Sequence, residues 1–539
     1  MKKNLALLMA MLMLFSALAG CGAVTTGGQE KTEAPKAEAP AAQESTTEAP
    51  KAEEAPAAPA KDSVTISVPQ ELTTTDGHAT TKTNDLITMF QMYEGLFYLN
   101  EAKGEIENRL CESYTTSDDG LEYTFKLRED AYFHNGEQVK ASDVVFSYNR
   151  AKESAHVGAF LGAMESVEAV DDFTVKFTTA APNAPLMVSL TQVFILSEKE
   201  VTEAGDAFGT TVSTAGTGPF MMTALDNDVA WTLEAFPQYY RGEAAIKKIT
   251  VKPITDASAG LLAFESGELD FYSAGSADWA SLVANEKYNT EAVAANHITL
   301  FAVNHEANDV LANDLVRQAI AYALNKEDMN WAAFDGYATE AQFMENPAYN
   351  IGAPTEGVTY EYNPEKAKEL LAEAGYPDGV NAGKLMVWAG NYFEKMAQVA
   401  QQNLAAVGIT VELDYYDINT CISKMLAQDY EIGIMGYASN GDFDSFRKRF
   451  HSAQEGAYYV DFTANDKFDW QTMDALMDES AQTLDAAKRL EINGQINDMV
   501  METACLLPCL HKALFYVWNG DLDIVCQPNY IYIYEWSWN

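Results

Sequence analysis

The chain changes character at residue 63, and that change decides what part of it can fold. Residues 22–62 are built mainly from Ala, Glu, Pro, Lys and Thr, and Glu33-Ala34-Pro35-Lys36-Ala37-Glu38 recurs as Glu48-Ala49-Pro50-Lys51-Ala52-Glu53. A segment so poor in aromatic and β-branched apolar side chains cannot bury enough surface to offset the entropy of ordering it. Its prolines and charges predict a stiffened tether, reaching roughly 35 Å as a coil and about 120 Å if extended. Beyond it the pattern becomes that of packed structure. Ser63-Val64-Thr65-Ile66-Ser67-Val68 alternates with period two, as do Tyr123, Phe125 and Leu127, and Phe173, Val175 and Phe177. Such alternation marks strands with one buried face. Asp119-Gly120 and Asn135-Gly136 supply turn signals beside them.

Helices are equally legible. Val316, Ala319, Ile320, Ala323 and Leu324 share one helical face, which puts Arg317 outward. Asn363-Pro364-Glu365 reads as a cap, a first-turn proline and a first-turn acid. Ala367, Leu370, Leu371 and Ala374 form that helix's stripe, and Gly375 followed by Pro377 stops it. Ile409, Val411, Leu413 and Tyr415 then alternate as a strand. Strands and helices mixed in this way, over 539 residues, predict an α/β architecture of two or three lobes with several sheets.

The first 21 residues carry an address. Lys2 and Lys3 precede an apolar run too short for a comfortable membrane span. Leu18-Ala19-Gly20-Cys21 follows and resembles a bacterial lipobox. The resemblance implies a signal peptide over 1–20 and lipid attachment at Cys21. It implies anchoring on the outer face of the cytoplasmic membrane, with 21–62 as the lipidated tether.

Thirty-five basic residues against 79 acidic ones give a formal charge of −44. Such a surface repels nucleic acid and anionic headgroups, so no nucleic-acid partner is expected and the acidity serves solubility. Cys111, Cys421, Cys505, Cys509 and Cys526 are odd in number, which leaves at least one thiol free outside the cell. Leu506, Leu507, Leu510 and Leu514 interleave Cys505, Cys509 and His511, so packing is the reading there and a disulfide stays open. His134 has no second ligand at metal spacing and reads as a turn-orienting residue. Gly216-Thr217-Gly218-Pro219 lacks the Lys-Ser/Thr pair of a phosphate loop. No Gly-x-Ser-x-Gly elbow or His-Glu-x-x-His helix is present, and Ser445-Phe446-Arg447-Lys448 lacks the companion motifs of Ser-x-x-Lys enzymes. Neither catalytic residues nor metal or cofactor are expected.

Several blocks in fixed order carry a more specific resemblance. They are Tyr93-Glu94-Gly95-Leu96, the run from Ser117 to Arg128, Phe133-His134-Asn135-Gly136-Glu137, and Ala141 to Ser147. Gly216 to Phe220, Ser266 to Asp270, Val316 to Ile320, Ala367 to Tyr376, and Gln402 to Val411 follow. With these the chain resembles the extracellular solute-binding proteins of peptide and nickel ABC importers, family 5, the oligopeptide- and dipeptide-binding type. The resemblance implies a two-lobed periplasmic-binding-protein-like fold, type II and cluster C, with an extra inserted domain. It places residues 63–85, 206–302 and 508–539 in one lobe, 86–205 in its insert and 303–507 in the other lobe. The hinge crossings fall near Val303-Asn304 and Pro508. The implied partners are a solute, a permease and an ATPase, with no catalysis by this chain.

In such a receptor the solute lies between the lobes and meets strand-to-helix loops. Two loops qualify, Trp388-Ala389-Gly390-Asn391-Tyr392 and Gly436 to Asp444. Trp388, Asn391, Tyr392, Tyr437, Asn440 and Asp442 are the expected ligand contacts, by aromatic stacking and a few hydrogen bonds. Core packing competes for Trp388 and Tyr437, and turn capping for Asp442 and Asp444. Where peptide receptors place the aspartate that meets an α-ammonium, this chain has Ser439 or Asn440. Phe443 replaces a proline, and Asp442 keeps a later acid. The first loop offers Asn391 and Tyr392 where dipeptide receptors carry an arginine. A dipeptide's buried zwitterion would therefore lack partners. A longer peptide held by its backbone remains, as does a neutral or cationic solute such as an oligosaccharide, an amine or a nickel complex.

Overall fold

A computed structural model describes residues 61–453 and 459–539. The signal peptide, Cys21 and nearly all of the tether lie outside the described residues. The fold is a two-lobed α/β structure built on one long sheet. Its middle is a pair of antiparallel strands, Tyr288–Val303 and Leu506–Asn519, far longer than the rest. On one side Leu506–Asn519 pairs with Phe271–Ala274, and the sheet continues through Ser63–Val68, Lys248–Pro253, Ala230–Ala235 and Phe220–Asp226. On the other side Tyr288–Val303 pairs with Ile432–Ala438, followed by the parallel strands Val380–Trp388 and Ile409–Tyr416. A separate antiparallel sheet holds Cys111–Thr116, Glu122–Leu127, Thr174–Thr179 and Met164–Asp171.

The long strands change partners part-way along. Asn289 to Ala294 faces Trp518 to Ala513, and after an irregularity Ile298 resumes opposite His511. A second shift between Thr299 and Leu300 brings Pro508 opposite Leu300. Proline cannot donate to a ladder and is confined to such places in an interior strand. Thr299 supplies the bridge instead: its hydroxyl donates to Leu510 O at 2.9 Å and accepts from Leu510 N at 3.1 Å.

Separate cores fill the two lobes. Val64, Ile66, Trp231, Ile249, Val251, Phe271 and Trp536 pack in the first. Phe125, Val144, Tyr148, Val175 and Phe177 pack under the separate sheet. The second lobe is buried on both sheet faces, as parallel strands covered by helices must be. Leu385, Val387, Ile432 and Ile434 face one core, and Met386, Met435 and Tyr437 face the other. Alternation along each strand puts successive side chains on opposite faces.

Local expectations meet three corrections. Asn363 caps helix Pro364–Glu373 as read, its Oδ1 accepting from Lys366 N at 3.0 Å. Arg317, however, is buried on helix Asp314–Ala323. Its guanidinium turns inward because two backbone carbonyls there need donors: Nε donates to Thr503 O and Nη1 to Leu311 O, both at 2.8 Å. The first expected loop shrinks, since strand Val380–Trp388 includes Trp388 and helix Tyr392–Ala406 begins at Tyr392. The second shrinks likewise, because Ile432–Ala438 includes Tyr437 and helix Asp444–Phe450 starts at Asp444.

Candidate functional site

Strands Val380–Trp388 and Ile432–Ala438 run parallel, so their carboxyl ends open at the same edge of the sheet. In open α/β sheets this edge is where ligand-binding loops gather. The segment after Ile432–Ala438 meets the first lobe there. Ala438, Ser439 and Asn440 form one wall of a cleft of about 130 Å³. The facing wall comes from the amino-terminal half of the chain and the carboxyl-terminal tail: Thr80, Glu101, Phe160, Gln192 and Tyr530. Contacts from one side to the other hold the walls together. Ala184 N donates to Ala481 O at 2.8 Å, and a Cβ on Gly441 would lie 2.2 Å from Leu99 Cδ2.

The wall segment is fixed from behind by polar contacts. Ser439 N donates to Asn296 O at 3.1 Å, and Ser439 Oγ donates to Asn350 Oδ1 at 2.5 Å. Asn350 and Asn296 bond each other at 2.8 and 3.3 Å. Ser445 Oγ donates to Asn440 Oδ1 and accepts from Asn440 N. Arg449 Nη2 donates to Ala438 O at 2.8 Å, with its guanidinium 4.2 Å above the Tyr437 ring. A segment tied down this way presents its side chains to a ligand with little ordering cost left.

Of the six residues singled out in the sequence, Asn440 lines the cleft. Tyr437 is buried behind it, donating to Met344 O at 3.0 Å and Glu345 Oε1 at 3.1 Å. Asp442 is buried in a bidentate pair with Arg489, at 2.5 and 2.8 Å. Trp388, Asn391 and Tyr392 stand apart from this cleft. Trp388 packs 5.9 Å from the Phe393 ring, Tyr392 4.9 Å from that of Phe334, and Asn391 Oδ1 caps the helix by accepting from Phe393 N at 2.8 Å. Sequence reasoning missed Glu101, Gln192, Phe160 and Tyr530. Glu101 and Gln192 lie in turns, Phe160 in the short 3-10 helix Gly158–Leu161 and Tyr530 in the carboxyl-terminal tail, with no periodicity to mark them.

Cys505 and Cys509 pack in the cores on the two faces of the sheet, and burial pushes the Cys509 thiol up to about 12. His134 Nε2 donates to Gly218 O at 2.9 Å, joining two sequence blocks distant in the chain.

Two buried carboxyls give the region a pH signature. Burial pushes both Glu101 and Glu345 up to about 7. In the native protein they keep their protons up to that pH, whereas in the unfolded chain they release them near 4.5. The unfolded chain therefore binds fewer protons at these two sites between these values, and what they add to stability falls as pH rises through the window. The contribution of these two carboxyls is therefore smaller at pH 8 than at pH 5, the reverse of the buried imidazoles of His78, His134, His297 and His511, which burial holds low and which add stability as pH rises. Glu345→Gln should remove about 2–3 kcal/mol of the carboxyls' difference, read from urea unfolding at the two pH values. An unchanged difference in E345Q would show that Glu345 titrates normally.

Two lobes with a solute-sized cleft between them define the class, a solute-binding receptor. Residues 105–458 match the family of bacterial extracellular solute-binding proteins, family 5, middle region. The chain belongs to that family, whose members deliver small solutes or peptides to the permease and ATPase of ABC importers. It is 28% identical to heme-binding protein A of Haemophilus influenzae over 459 residues, covering 79% of this chain and 82% of that one. It is 30% identical to the glutathione-binding protein GsiB of Salmonella typhimurium over 372 residues, covering 67% and 71%. The ABC transporter substrate-binding protein CtaP of Listeria monocytogenes shares the fold, with a TM-score of 0.79, 23% identity, and coverage of 89% and 99%. Relatives of this family are extracellular or periplasmic, and among the described residues no helix is long and apolar enough to cross a membrane.

Proposed function

We propose that the chain is the substrate-binding lipoprotein of an ABC importer, anchored through Cys21, that captures an oligopeptide between its lobes. The observation that carries this reading is the wall at Ala438-Ser439-Asn440. It is the carboxyl end of a strand, facing amides and hydroxyls of the other lobe across a cleft. Main-chain and short polar groups on both sides suit a ligand recognised largely through its own backbone. Glutathione, the named ligand of one relative, is itself a tripeptide. No lysine or arginine is among the residues lining the cleft, so a peptide's carboxylate end belongs outside it.

Within this reading residues 63–85, 206–302 and 508–539 form lobe I, with 86–205 inserted and 303–507 as lobe II. The hinge crossings lie near Val303-Asn304 and Pro508, a few residues beyond the irregularity between Ala294 and Ile298. Asn440 touches the solute, while Tyr437 and Asp442 support its wall from behind. No contact role is assigned to Trp388, Asn391 or Tyr392, whose side chains pack on Phe393 and Phe334 or cap a helix.

One preparation tests the proposal. The full chain, expressed in a bacterium, should fractionate with membranes, and a Cys21→Ser chain should not. Denaturing the purified receptor should release peptides visible by mass spectrometry, and the same peptides should raise its melting temperature. Released oligosaccharides, amines or nickel complexes in their place would sink the peptide reading.

A further inference from the structure

The cleft has a one-sided charge. Glu101 is the only carboxylate or cationic residue among those that line it. It follows strand Phe97–Asn100, in the turn before strand Glu105–Asn108, and is only 3% exposed. Asn529 holds it from the carboxyl-terminal tail: Nδ2 donates to Oε1 at 2.6 Å and the backbone N–H to Oε2 at 3.1 Å. These bonds occupy one acceptor direction on each oxygen, and an ionised carboxylate offers about four.

The cations near Glu101 on its own strand pair, and those of the facing helix, are engaged elsewhere. Lys103 lies 3.7 Å from Glu107, and Arg109 bonds Glu107 at 2.7 Å and lies 3.7 Å from Glu94. Across the cleft Lys448 pairs with Asp444 at 3.2 Å, and Arg449 donates to the carbonyls of Ser445 and Ala438. Burial pushes the Glu101 carboxyl up, and the hydrogen bonds from Asn529 oppose that shift. A buried carboxylate without a cation is costly, so on its own Glu101 keeps its proton up to about pH 7, and a cation seated beside it would favour the ionised form.

We infer that Glu101 anchors an ammonium group of the solute. An ammonium is a compact charge that a carboxylate already bonded twice can accept on its free lone pairs. A guanidinium fork needs both oxygens presented side by side. Tyr530 in the same cleft adds an aromatic ring for the cation and its methylene neighbours, while the Phe160 ring already has the Lys448 ammonium 6.0 Å over it. Asn440 and Gln192 supply amide groups for the rest. This rests on the reading of the cleft as the solute site, and it names the class of solute: one that carries a primary amine.

The test uses the full chain, Glu101→Gln and Glu101→Asp. The probes are a lysine-free random tetrapeptide library, the same library N-acetylated, and the amines cadaverine and spermidine. Retention of the library and calorimetric titration of the amines are the readouts. An ammonium-bearing probe should bind wild type, and E101Q should weaken it about tenfold or more, with E101D in between. Acetylation of the library should cost wild type a similar factor, a readout independent of whether E101Q folds. Peptides that bind wild type equally well with and without acetylation would overturn the inference and leave the peptide reading standing. Amines that bind through Glu101 while the library does not would keep the inference and sink the peptide reading. Silence of every amine-bearing probe would overturn the inference outright.

Discussion

Replacing Asp442 by alanine is expected to lower the free energy of unfolding by about 3–5 kcal/mol, far more than the loss of a surface acid. Asp442 is 1% exposed and its partner Arg489 5% exposed. The two form parallel hydrogen bonds, with Arg489 Nη2 on Oδ1 at 2.5 Å and Nη1 on Oδ2 at 2.8 Å. Asp442 Oδ1 also accepts from Asp444 N at 2.7 Å, which shapes the entry to helix Asp444–Phe450. Alanine would leave the guanidinium of Arg489 inside the protein with Ser480 O, at 3.3 Å, as its remaining partner. The penalty is the uncompensated charge more than the lost attraction, so removing both partners should cost less than removing one. Asp442→Ala combined with Arg489→Met is therefore expected to recover most of the loss. Urea unfolding followed by tryptophan fluorescence would measure it. If D442A unfolded like wild type but bound solute more weakly, Asp442 would be a ligand contact and not a brace.

Why Asp442 resists assignment from sequence is instructive. An acid after glycine in a strand-to-helix segment looks like a cap or a ligand contact, and its partner lies 47 residues further on. Distance in the chain separates what was legible from what was not. The cap at Asn363, the turn at Asp119-Gly120 and the alternation of Ser63–Val68 rest on neighbours within a few residues, and each forms as read. Arg317 was misplaced because helical periodicity records which face a residue occupies but not what lies opposite. The carbonyls of Leu311 and Thr503 lie opposite, and one of them is 186 residues away. Tyr437 sits in a segment, Ile-Gly-Ile-Met-Gly-Tyr-Ala, whose glycines imitate a loop. One of them, Gly436, is a glycine because a Cβ there would lie 2.4 Å from Ile298 O on the adjacent strand. Glu101 is the extreme case. At a turn beside Lys103 and Gly104 it carries no pattern that marks it, and Asn529, 428 residues later, holds it in the cleft wall. The resemblance carried by ordered blocks captured the fold and the receptor class, because those blocks are mostly packing devices. The ligand wall draws single residues from segments without such patterns.

Those packing devices should be intolerant of even one added methyl group. Gly216→Ala is expected to cost about 3 kcal/mol or more of stability. A Cβ on Gly216 would lie 2.0 Å from Met92 O and 2.9 Å from Met92 C, and one on Gly218 2.5 Å from Gln91 O. These are backbone atoms at the end of helix Thr83–Met92, so no side-chain rotation relieves the overlap. The segment cannot simply back away, because it is bonded on several sides. Gly218 N donates to Met92 O at 2.9 Å, satisfying a carbonyl that the helix end leaves open. His134 N donates to Gly216 O at 2.8 Å, and the His134 ring donates to Gly218 O. Retreat from Met92 would break all three and leave buried groups unpaired. Gly216→Ala and Gly218→Ala press on the same carbonyl, so the double variant should fall short of the sum of the singles. Gly136 provides the contrast. Its φ is +86°, but a Cβ there would meet nothing within 4 Å, so Gly136→Ala should cost only the backbone strain, about 1 kcal/mol. Urea midpoints of the three single variants would separate the two mechanisms. If G216A and G136A lost the same stability, close backbone approach would not be the reason for the Gly-Thr-Gly-Pro block.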